Sequence, residues 1–339
     1  MLDVTVIRAI LTFIDVASAV LAVLFNSLLI YLVMTKSPKQ LGAYKYLMIF
    51  ISVFEIVYSL FESWLEPIHF SHGAAAVVLV EVGEWSPFTM NILNSVYFWF
   101  FGASLAIFAV HFIYRYLAVS ESLLLHSFYS WRICYWTLIP LCSANIWMAT
   151  SFFLSGMSPT TTELFRESVQ KVFGKGVEEF VYLGFYLYEL PGDGSIDFHY
   201  VDCLSFVIML GTVMISLFMI FYFGWKCYRR ITSLLKVTST HSNRTLVLQP
   251  QLFYALVVQT LIPVCLMHIP IIIMFLLIFA GIDIGIYSGF ASMTISIYPA
   301  VDPVPNFFII KPYRKALKEM LRFGTASRVV TNSSGLLTN

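Results

Sequence analysis

Charged residues are scarce in this chain of 339 residues, and this scarcity is the first guide to its class. Asp, Glu, Lys and Arg make up 12% of the chain and apolar residues make up 59%. Soluble globular proteins average about 25% and about 45–50% for the same two groups. An ordinary soluble core would not need seven apolar segments of the length found here. The composition therefore indicates a membrane protein.

Cysteine is also sparse, and the motifs of catalysis are missing. The five cysteines fall in or at the ends of apolar segments, and no two of them share a metal-ligand spacing. The chain has no nucleophile–base motif and no glycine-rich phosphate loop. We therefore expect no enzymatic activity, no metal and no cofactor. The net charge of +1 gives no indication of a nucleic-acid partner.

Seven apolar segments are long enough to cross a bilayer, because about 20 apolar residues in a helix span its hydrocarbon core. Six of them contain long runs without any charged residue, and the run in the second is broken only by Glu55. The sequence therefore predicts an all-α membrane protein, a seven-transmembrane helix bundle. The predicted helices cover residues 10–35, 44–65, 91–119, 131–154, 201–227, 251–280 and 284–310.

Basic residues predict the orientation of these helices. Sixteen of the twenty Lys and Arg residues fall in every second connection or in the C-terminal segment. Basic residues near helix ends stay on the cytoplasmic side. We therefore predict that the N-terminus lies outside and the C-terminus inside, in a multi-pass protein of the plasma membrane.

The segment after the seventh helix is amphipathic. Residues 312–322 place apolar side chains on one face of a helix and basic side chains on the other. This pattern predicts a short eighth helix that lies on anionic membrane lipid. The receptor domain would then cover residues 1–322, and residues 323–339 would form a disordered cytoplasmic tail.

Two of the predicted outer connections carry structural signals. Residues 74–82 form an apolar run that is too short to span a membrane, and we expect it to pack across the tops of the helices. Residues 161–175 have helical character, with Thr162 as the candidate N-terminal cap.

Four acidic residues fall inside the predicted helices: Asp15, Glu55, Glu62 and Asp302. Charge inside hydrocarbon is costly, so such residues are candidates for function. No Lys or Arg lies at the depth of Glu55 and Asp302, so a proton, a cation or polar neighbours such as Asn26 must compensate them. Two interpretations remain open. The acids form an ion- or proton-linked switch across helices one, two and seven, or they form a static buried hydrogen-bond cluster.

Prolines mark places where helices six and seven can bend. Pro303 and Pro305 follow Asp302 directly, and helix six carries Pro263 and Pro270. A proline removes one backbone hydrogen bond and kinks the helix. We interpret these kinks as sites of movement rather than of packing alone.

Four short motifs, in order along the chain, resemble those of G-protein-coupled receptors. They lie in helices one and two, at the end of helix three, in helix seven and at the start of the eighth helix. The residues are Asn26 with Glu55, Tyr114-Arg115-Tyr116, Asp302-Pro303-Val304-Pro305-Asn306 and Lys311-Pro312-Tyr313-Arg314.

The whole chain resembles more closely the nematode serpentine chemoreceptors of the Str class. This resemblance implies detection of a small odorant-like molecule and signalling to a heterotrimeric G protein, in the cilium of a sensory neuron. It is carried by the stretches that begin at Leu41, Phe54, His111, Leu261 and Val301 and by the Ile-Ile-Lys-Pro-Tyr-Arg stretch that ends at Arg314. Two positions depart from the receptor pattern: Tyr114 stands where an acid is expected, and Asn306 stands where a tyrosine is usual.

The resemblance also implies which residues contact the G protein. Arg115 and Tyr116 would belong to an inner switch. The loop of residues 226–249, with Lys226, Arg229 and Arg230, would meet the G protein together with Lys311. The same basic residues also set the orientation and bind anionic lipid.

A ligand cavity is expected among the outer halves of helices three, five, six and seven, because pockets form between the helices of bundles. The aromatic content of 17% suits small apolar ligands. His268, beside Pro270, is the strongest candidate. The candidate lining residues are Tyr97, Phe101, Phe206, His268, Phe275 and Tyr287.

Two other functions fit parts of the sequence. The intramembrane acids also suit a ligand-gated cation channel or a proton-coupled transporter, and a membrane scaffold without a ligand is a further alternative. Seven-helix odorant channels place the N-terminus inside, so the topology of the chain separates a channel of that type from a receptor.

Overall fold

The computed structural model describes residues 4–129, 131–191, 195–237 and 244–334. Most of these residues lie in helices, and the helices form the seven-transmembrane bundle that the sequence predicts. The helices are α1 (Val4–Lys36), α2 (Tyr44–Leu65), α3 (Pro87–Val119), α4 (Ile133–Leu154), α5 (Pro159–Phe173), α6 (Tyr200–Val237), α7 (Arg244–Pro263), α8 (Ile269–Phe279), α9 (Gly289–Val301), α10 (Val304–Ile309) and α11 (Lys311–Ser334).

Six helices of the described chain are long and apolar enough to cross a membrane. They are α1, α2, α3, α4, α6 and the sixth crossing, in which α7 and α8 are joined by a π-helical turn at Val264–His268. The seventh crossing consists of α9 and α10, with 13 and 6 residues, and the break falls at Asp302-Pro303. The predicted kink in helix seven is therefore an interruption of the helix.

Helix α3 is the central element of the bundle. In the most apolar 18-residue stretch of α3, 83% is buried inside the structure, compared with 28–44% in the corresponding stretches of the other five spanning helices. Gly102 allows α4 to approach closely, because a Cβ atom there would lie 2.7 Å from the Trp147 ring. The Ser143 hydroxyl also donates to the Gly102 carbonyl at 2.8 Å.

A three-stranded antiparallel sheet covers one end of the bundle, which we call the sheet end. It pairs β1 (Ile68–His72), β2 (Ala75–Glu81) and β3 (Phe180–Tyr186) in that order. The apolar run of residues 74–82 is therefore mainly the central strand β2, which lies across this end of the bundle. Ala76, Val78 and Val80 point towards the bundle, whereas the alternate residues of β2 pack against α5. A second, two-residue pairing joins β4 (Tyr188–Glu189) and β5 (Asp197–Phe198).

Several element boundaries differ from the predictions. The cap of α5 is Ser158, whose hydroxyl accepts from the Thr161 amide at 3.1 Å, so the assignment of the cap to Thr162 was wrong. Helix α6 continues ten residues past the predicted end at 227, and α7 begins at Arg244 rather than at 251. Helix α11 continues to Ser334 rather than ending at 322. Residues 238–243 of the predicted inner loop and residues 335–339 of the tail lie outside the described residues.

Candidate functional site

A buried cavity lies directly beneath the sheet. Strands β2 and β3 form its roof, and α3, α4, α6 and α8 form its walls. Its volume is about 40 Å³, which exceeds the roughly 10–15 Å³ that one water needs. It is smaller than the roughly 150 Å³ cavity that accommodates benzene. The lining includes the predicted residues Tyr97, Phe101 and Phe275, together with Val78, Leu183, Phe185, Trp147 and Met274.

Two polar side chains reach this otherwise apolar cavity. The Tyr97 hydroxyl is buried, and the side chain of Tyr58 lies beside it, with ring centroids 6.2 Å apart. His69 of β1 lies with its ring centroid 6.1 Å from that of Tyr97. Its Nδ1 is 2.5 Å from the Ser292 hydroxyl oxygen of α9. Burial lowers the pKa of His69 to about 4, so its imidazole is neutral at physiological pH.

The other predicted ligand residues occupy different places. Phe206 lies behind the lining, with its ring 5.1 Å from that of Phe275. His268 lies deeper in the bundle, where Nε2 is 3.4 Å from the Ser216 hydroxyl and Nδ1 is 3.2 Å from the Pro263 carbonyl. Tyr287 is 65% exposed in a short turn before α9, so its assignment to the cavity is corrected.

The prediction missed His69, Trp147 and the strand residues of the cavity. Strands β2 and β3 are separated by about 100 residues, so no local pattern indicates that they pair. One signal was available, because Asn94 is a polar residue in an apolar helix. Its side-chain amide donates to the Val78 carbonyl at 2.9 Å and attaches the sheet to α3.

The intramembrane acids form two buried groups. Glu55 and Asp302 are fully buried and interact directly with each other. The Tyr298 hydroxyl donates to Glu55 Oε1 at 3.0 Å, and Gln259 donates to Asp302. Nearby, the Asn26 amide donates to the backbone of helix seven. This group joins helices one, two, six and seven just before the break at Pro303.

The second acidic group lies nearer the sheet end. The Ser296 hydroxyl lies 2.6 Å from Asp15 Oδ1 and 3.3 Å from Glu62 Oε1. Its single hydrogen can be donated to only one carboxyl group at a time. The contacts of the two acidic groups join helix seven to helices one and two. The part of the chain that the structure describes contains no cluster of His, Cys, Asp and Glu suited to a metal ion.

Arg115 is held by aromatic rings rather than by an acid. It is 2% exposed, and its guanidinium carbon lies 3.5 Å from the centroid of the Tyr44 ring. Tyr44 in turn stacks on Tyr114, with ring centroids 5.4 Å apart. Within the described ranges, no carboxylate lies within the 4.0 Å distance of an ion pair with Arg115. Tyr114 thus replaces the acid of the receptor motif, and a cation–π contact replaces the ion pair.

Several basic side chains surround this end of the bundle, which we call the basic end. Lys226 Nζ lies 5.5 Å from the ring centroid of Tyr116, and the Arg229 guanidinium lies 4.9 Å from that of Trp225. Arg229, Arg230 and Lys311 are exposed.

The remaining predicted switch residues are prolines. Pro270 is the second residue of α8, Pro303 precedes α10, and Pro305 lies buried within α10. They therefore lie where the sixth and seventh crossings change their helical geometry, at the π-helical turn and at the break.

Comparison with known proteins gives a consistent result. A sequence model described as serpentine type 7TM GPCR chemoreceptor Str matches residues 11–318. The chain is 33% identical over 306 residues to G-protein coupled receptor str-217 of Caenorhabditis elegans, covering 90% of this chain and 88% of that protein. It is 29% identical over 315 residues to serpentine receptor class r-10 of Caenorhabditis briggsae, covering 91% and 90%. It is 26% identical over 305 residues to G-protein coupled receptor str-33 of Caenorhabditis elegans, covering 88% and 87%.

Proposed function

Since the chain belongs to the Str family of serpentine seven-transmembrane chemoreceptors, we propose that it binds a small molecule beneath the sheet and signals to a heterotrimeric G protein. Membership makes it a multi-pass membrane protein of a receptor family. The ligand site, the transducer, the orientation and a place in the plasma membrane of a sensory cilium are parts of the proposal.

The proposed ligand site is supported by the cavity beneath the sheet. Its lining is apolar apart from Tyr97 and His69, and no charged side chain lines it. A charged ligand would lose its hydration there without gaining an ion pair. The ligand is therefore small, uncharged and largely apolar, with one group that hydrogen-bonds to the Tyr97 hydroxyl.

The cavity is connected to helix six, which gives the ligand a means of action. Phe275 of α8 lines the cavity and packs on Phe206 of α6. The π-helical turn at Val264–His268 ends three residues before Ile271, which also lines the cavity. A ligand that displaces Phe275 would shift α8 about this turn, since π-helical segments and prolines are weak points of helices.

The exposed basic residues of the basic end suit contact with an acidic surface of a G protein. Helix α6 has 38 residues and is about 57 Å long, compared with a hydrocarbon thickness of about 30 Å. It therefore extends beyond the membrane with Arg229 and Arg230 exposed. Movement of helix six would open a groove beside Tyr116 and Lys226. The positive charge of Lys226 would attract an acidic surface of a G protein to this groove.

A matched pair of variants tests the ligand site. In Val78→Phe the larger side chain fills the cavity, whereas Leu79→Phe places the same change on the opposite face of β2, against α5. Cells that express the chain and a G protein are screened with small volatile and water-soluble compounds, with second messenger as the readout. We expect Val78→Phe to abolish the response to an active compound and Leu79→Phe to retain it at equal surface expression.

The transducer is tested separately. Arg115→Ala should remove the second-messenger response while the receptor still binds the labelled compound. An active compound whose potency is the same in Val78→Phe and the unmodified receptor would refute the cavity as the ligand site. A response that persists in Arg115→Ala would refute the role of Arg115 in coupling.

A further inference from the structure

Another cavity opens at the sheet end of the bundle, between α1, β1, α5 and α9. Its volume is about 40 Å³, which is enough for a small polar group, because one water needs roughly 10–15 Å³. Thr12 and Glu66 contribute to its lining, and both residues are exposed. The cavity is therefore open to molecules that reach this end of the protein.

Two carboxyl groups line this cavity without a basic partner. They belong to Asp15 of α1 and to Glu66, which directly follows the last residue of α2. Their negative charges are close enough to repel each other. Within the described ranges, neither carboxyl group forms an ion pair with a Lys or Arg side chain. Two like charges without a counter-charge are unfavourable, so this arrangement indicates a missing positive charge.

A third carboxyl group lies behind Asp15 and leaves one oxygen without a partner. Glu62 is 3% exposed, and its Oε1 lies 3.3 Å from the Ser296 hydroxyl oxygen. The same hydroxyl lies 2.6 Å from Asp15 Oδ1, so the two acids share one hydrogen. Glu62 Oε2 has no hydrogen-bond partner in the part of the chain that the structure describes. An unpaired buried acceptor indicates a missing donor, in addition to the missing charge.

We propose that this cavity binds a compact amine in its ammonium form, with N–H groups that donate to Asp15 and Glu66. A primary ammonium has three donor hydrogens and one positive charge, so it supplies both the donors and the charge that these acids lack. The wall beside the acids is apolar, from Leu11, Ile68 and Ile286, so the amine carries a short hydrocarbon chain. A bare metal ion fits less well, because the described residues contain no group of His, Cys, Asp and Glu that could hold one.

An ammonium at Asp15 would also satisfy the buried acid behind it. If the ammonium donates to Asp15, the hydrogen of the Ser296 hydroxyl is left for Glu62. Both acids would then have a donor at the same time. The amine would therefore strengthen the contacts that join helices one, two and seven at the sheet end.

The amine site shares one wall with the cavity beneath the sheet. Ser292 lines the amine site, and its hydroxyl oxygen lies 2.5 Å from Nδ1 of His69, which lines the other cavity. Occupancy of one cavity would therefore bias the contact that borders the other, and such coupling acts in both directions. The amine is a second ligand, distinct from the uncharged ligand proposed for the cavity beneath the sheet.

Binding of tritiated butylamine to the full-length receptor in detergent tests the proposal without any signalling partner. The assay is run at pH 7, where an alkylamine carries its proton. The competitors are unlabelled butylamine, 1-butanol, tetramethylammonium and sodium ion. 1-Butanol keeps the chain without the charge, whereas tetramethylammonium keeps the charge without N–H donors. We expect saturable binding, with the last three competing about tenfold or more less well than butylamine, as expected for the loss of a hydrogen bond between charged groups.

Matched variants separate this site from general attraction of cations. Asp15→Asn keeps the shape of the side chain but removes its charge, and should weaken binding about tenfold or more. Asp283→Asn makes the same change at the sheet end, where Asp283 pairs with His72 outside the cavity, and should leave binding unchanged. Thr12→Trp fills the exposed rim and should block binding, and it remains informative if Asp15→Asn fails to fold.

Three results would overturn the proposal. The first is the absence of saturable butylamine binding. The second is competition by 1-butanol, tetramethylammonium or sodium ion that equals competition by butylamine. The third is binding that a folded Asp15→Asn or Thr12→Trp receptor retains at full strength.

Discussion

Removal of the Tyr44 ring should raise the basal activity of the receptor. In the structure the Arg115 guanidinium lies over this ring at 3.5 Å and is 2% exposed, so it is hidden from a G protein. A desolvated cation–π contact contributes about 2 kcal/mol. Loss of that amount shifts the equilibrium between hidden and released Arg115 by about thirtyfold.

The variant Tyr44→Leu removes the ring, and Tyr44→Phe keeps the ring but loses the hydroxyl, which interacts with Arg115 and His111. The assay is ligand-independent second-messenger production in cells with equal surface expression. We expect a rise of up to about thirtyfold for Tyr44→Leu and a clearly smaller rise for Tyr44→Phe, because the ring contact with Arg115 remains. Basal signalling that is unchanged or reduced in Tyr44→Leu would show that Tyr44 does not restrain Arg115.

Three further predictions concern stability, measured by thermal unfolding of the detergent-solubilised protein. Asn94→Leu removes the buried hydrogen bond to β2 and should cost about 1 to 3 kcal/mol; an unchanged melting temperature would contradict this. Gly102→Ala places a Cβ 2.7 Å from the Trp147 ring and should cost about 1 to 3 kcal/mol, whereas Gly211→Ala meets no atom within 4 Å and should not destabilise. The pKa of His69 falls from 6.5 to about 4 on folding, so the unfolded state binds more protons between these values and stability should fall as the pH drops through this window. The loss from His69 at pH 5.5 is about 1.4 kcal/mol, and a His69→Asn variant should show a correspondingly weaker pH dependence.

The spanning helices could be predicted because the membrane imposes a simple pattern on sequence. Each helix must satisfy its own backbone and present about 20 apolar residues to lipid, so charge-free runs mark the helices directly. The pattern fails where a helix leaves the membrane. Helix α6 continues past Lys226 and Arg229 as an exposed helix, and the appearance of charge there was interpreted as its end.

The sheet could not be predicted from local pattern. Both faces of β2 are covered, one by the bundle and the other by α5, so Val77, Val78 and Leu79 are all apolar and the alternation of a half-exposed strand is lost. Strand β3 lies about 100 residues away, beyond the reach of any hairpin signal. The roof of the cavity beneath the sheet therefore combines residues 74–82, which were expected to pack across the helix tops but not as a strand, with β3, which was not predicted.

The acids and the Arg115 cluster were predicted to different extents. Glu55, Glu62 and Asp302 were identified because charge in hydrocarbon is rare, and burial of all three follows from the same cost. The contacts of Glu62 with Ser296 and of Asp302 with Gln259 depend on how helices six and seven pack, and the spacing of residues along the chain does not give this packing. Likewise, the sequence indicated that Arg115 lacks its usual acid, but not that Tyr44 of helix two takes its place.

The central claim is that the sheet end faces the outside, where the ligand arrives, and that the basic end faces the cytosol. Antibody labelling of intact cells tests it most directly, with one epitope tag at the N-terminus and a second at the C-terminus. We predict that the N-terminal tag is labelled on intact cells and that the C-terminal tag is labelled only after permeabilisation. Labelling of the C-terminal tag on intact cells, with the N-terminal tag protected, would contradict the claim.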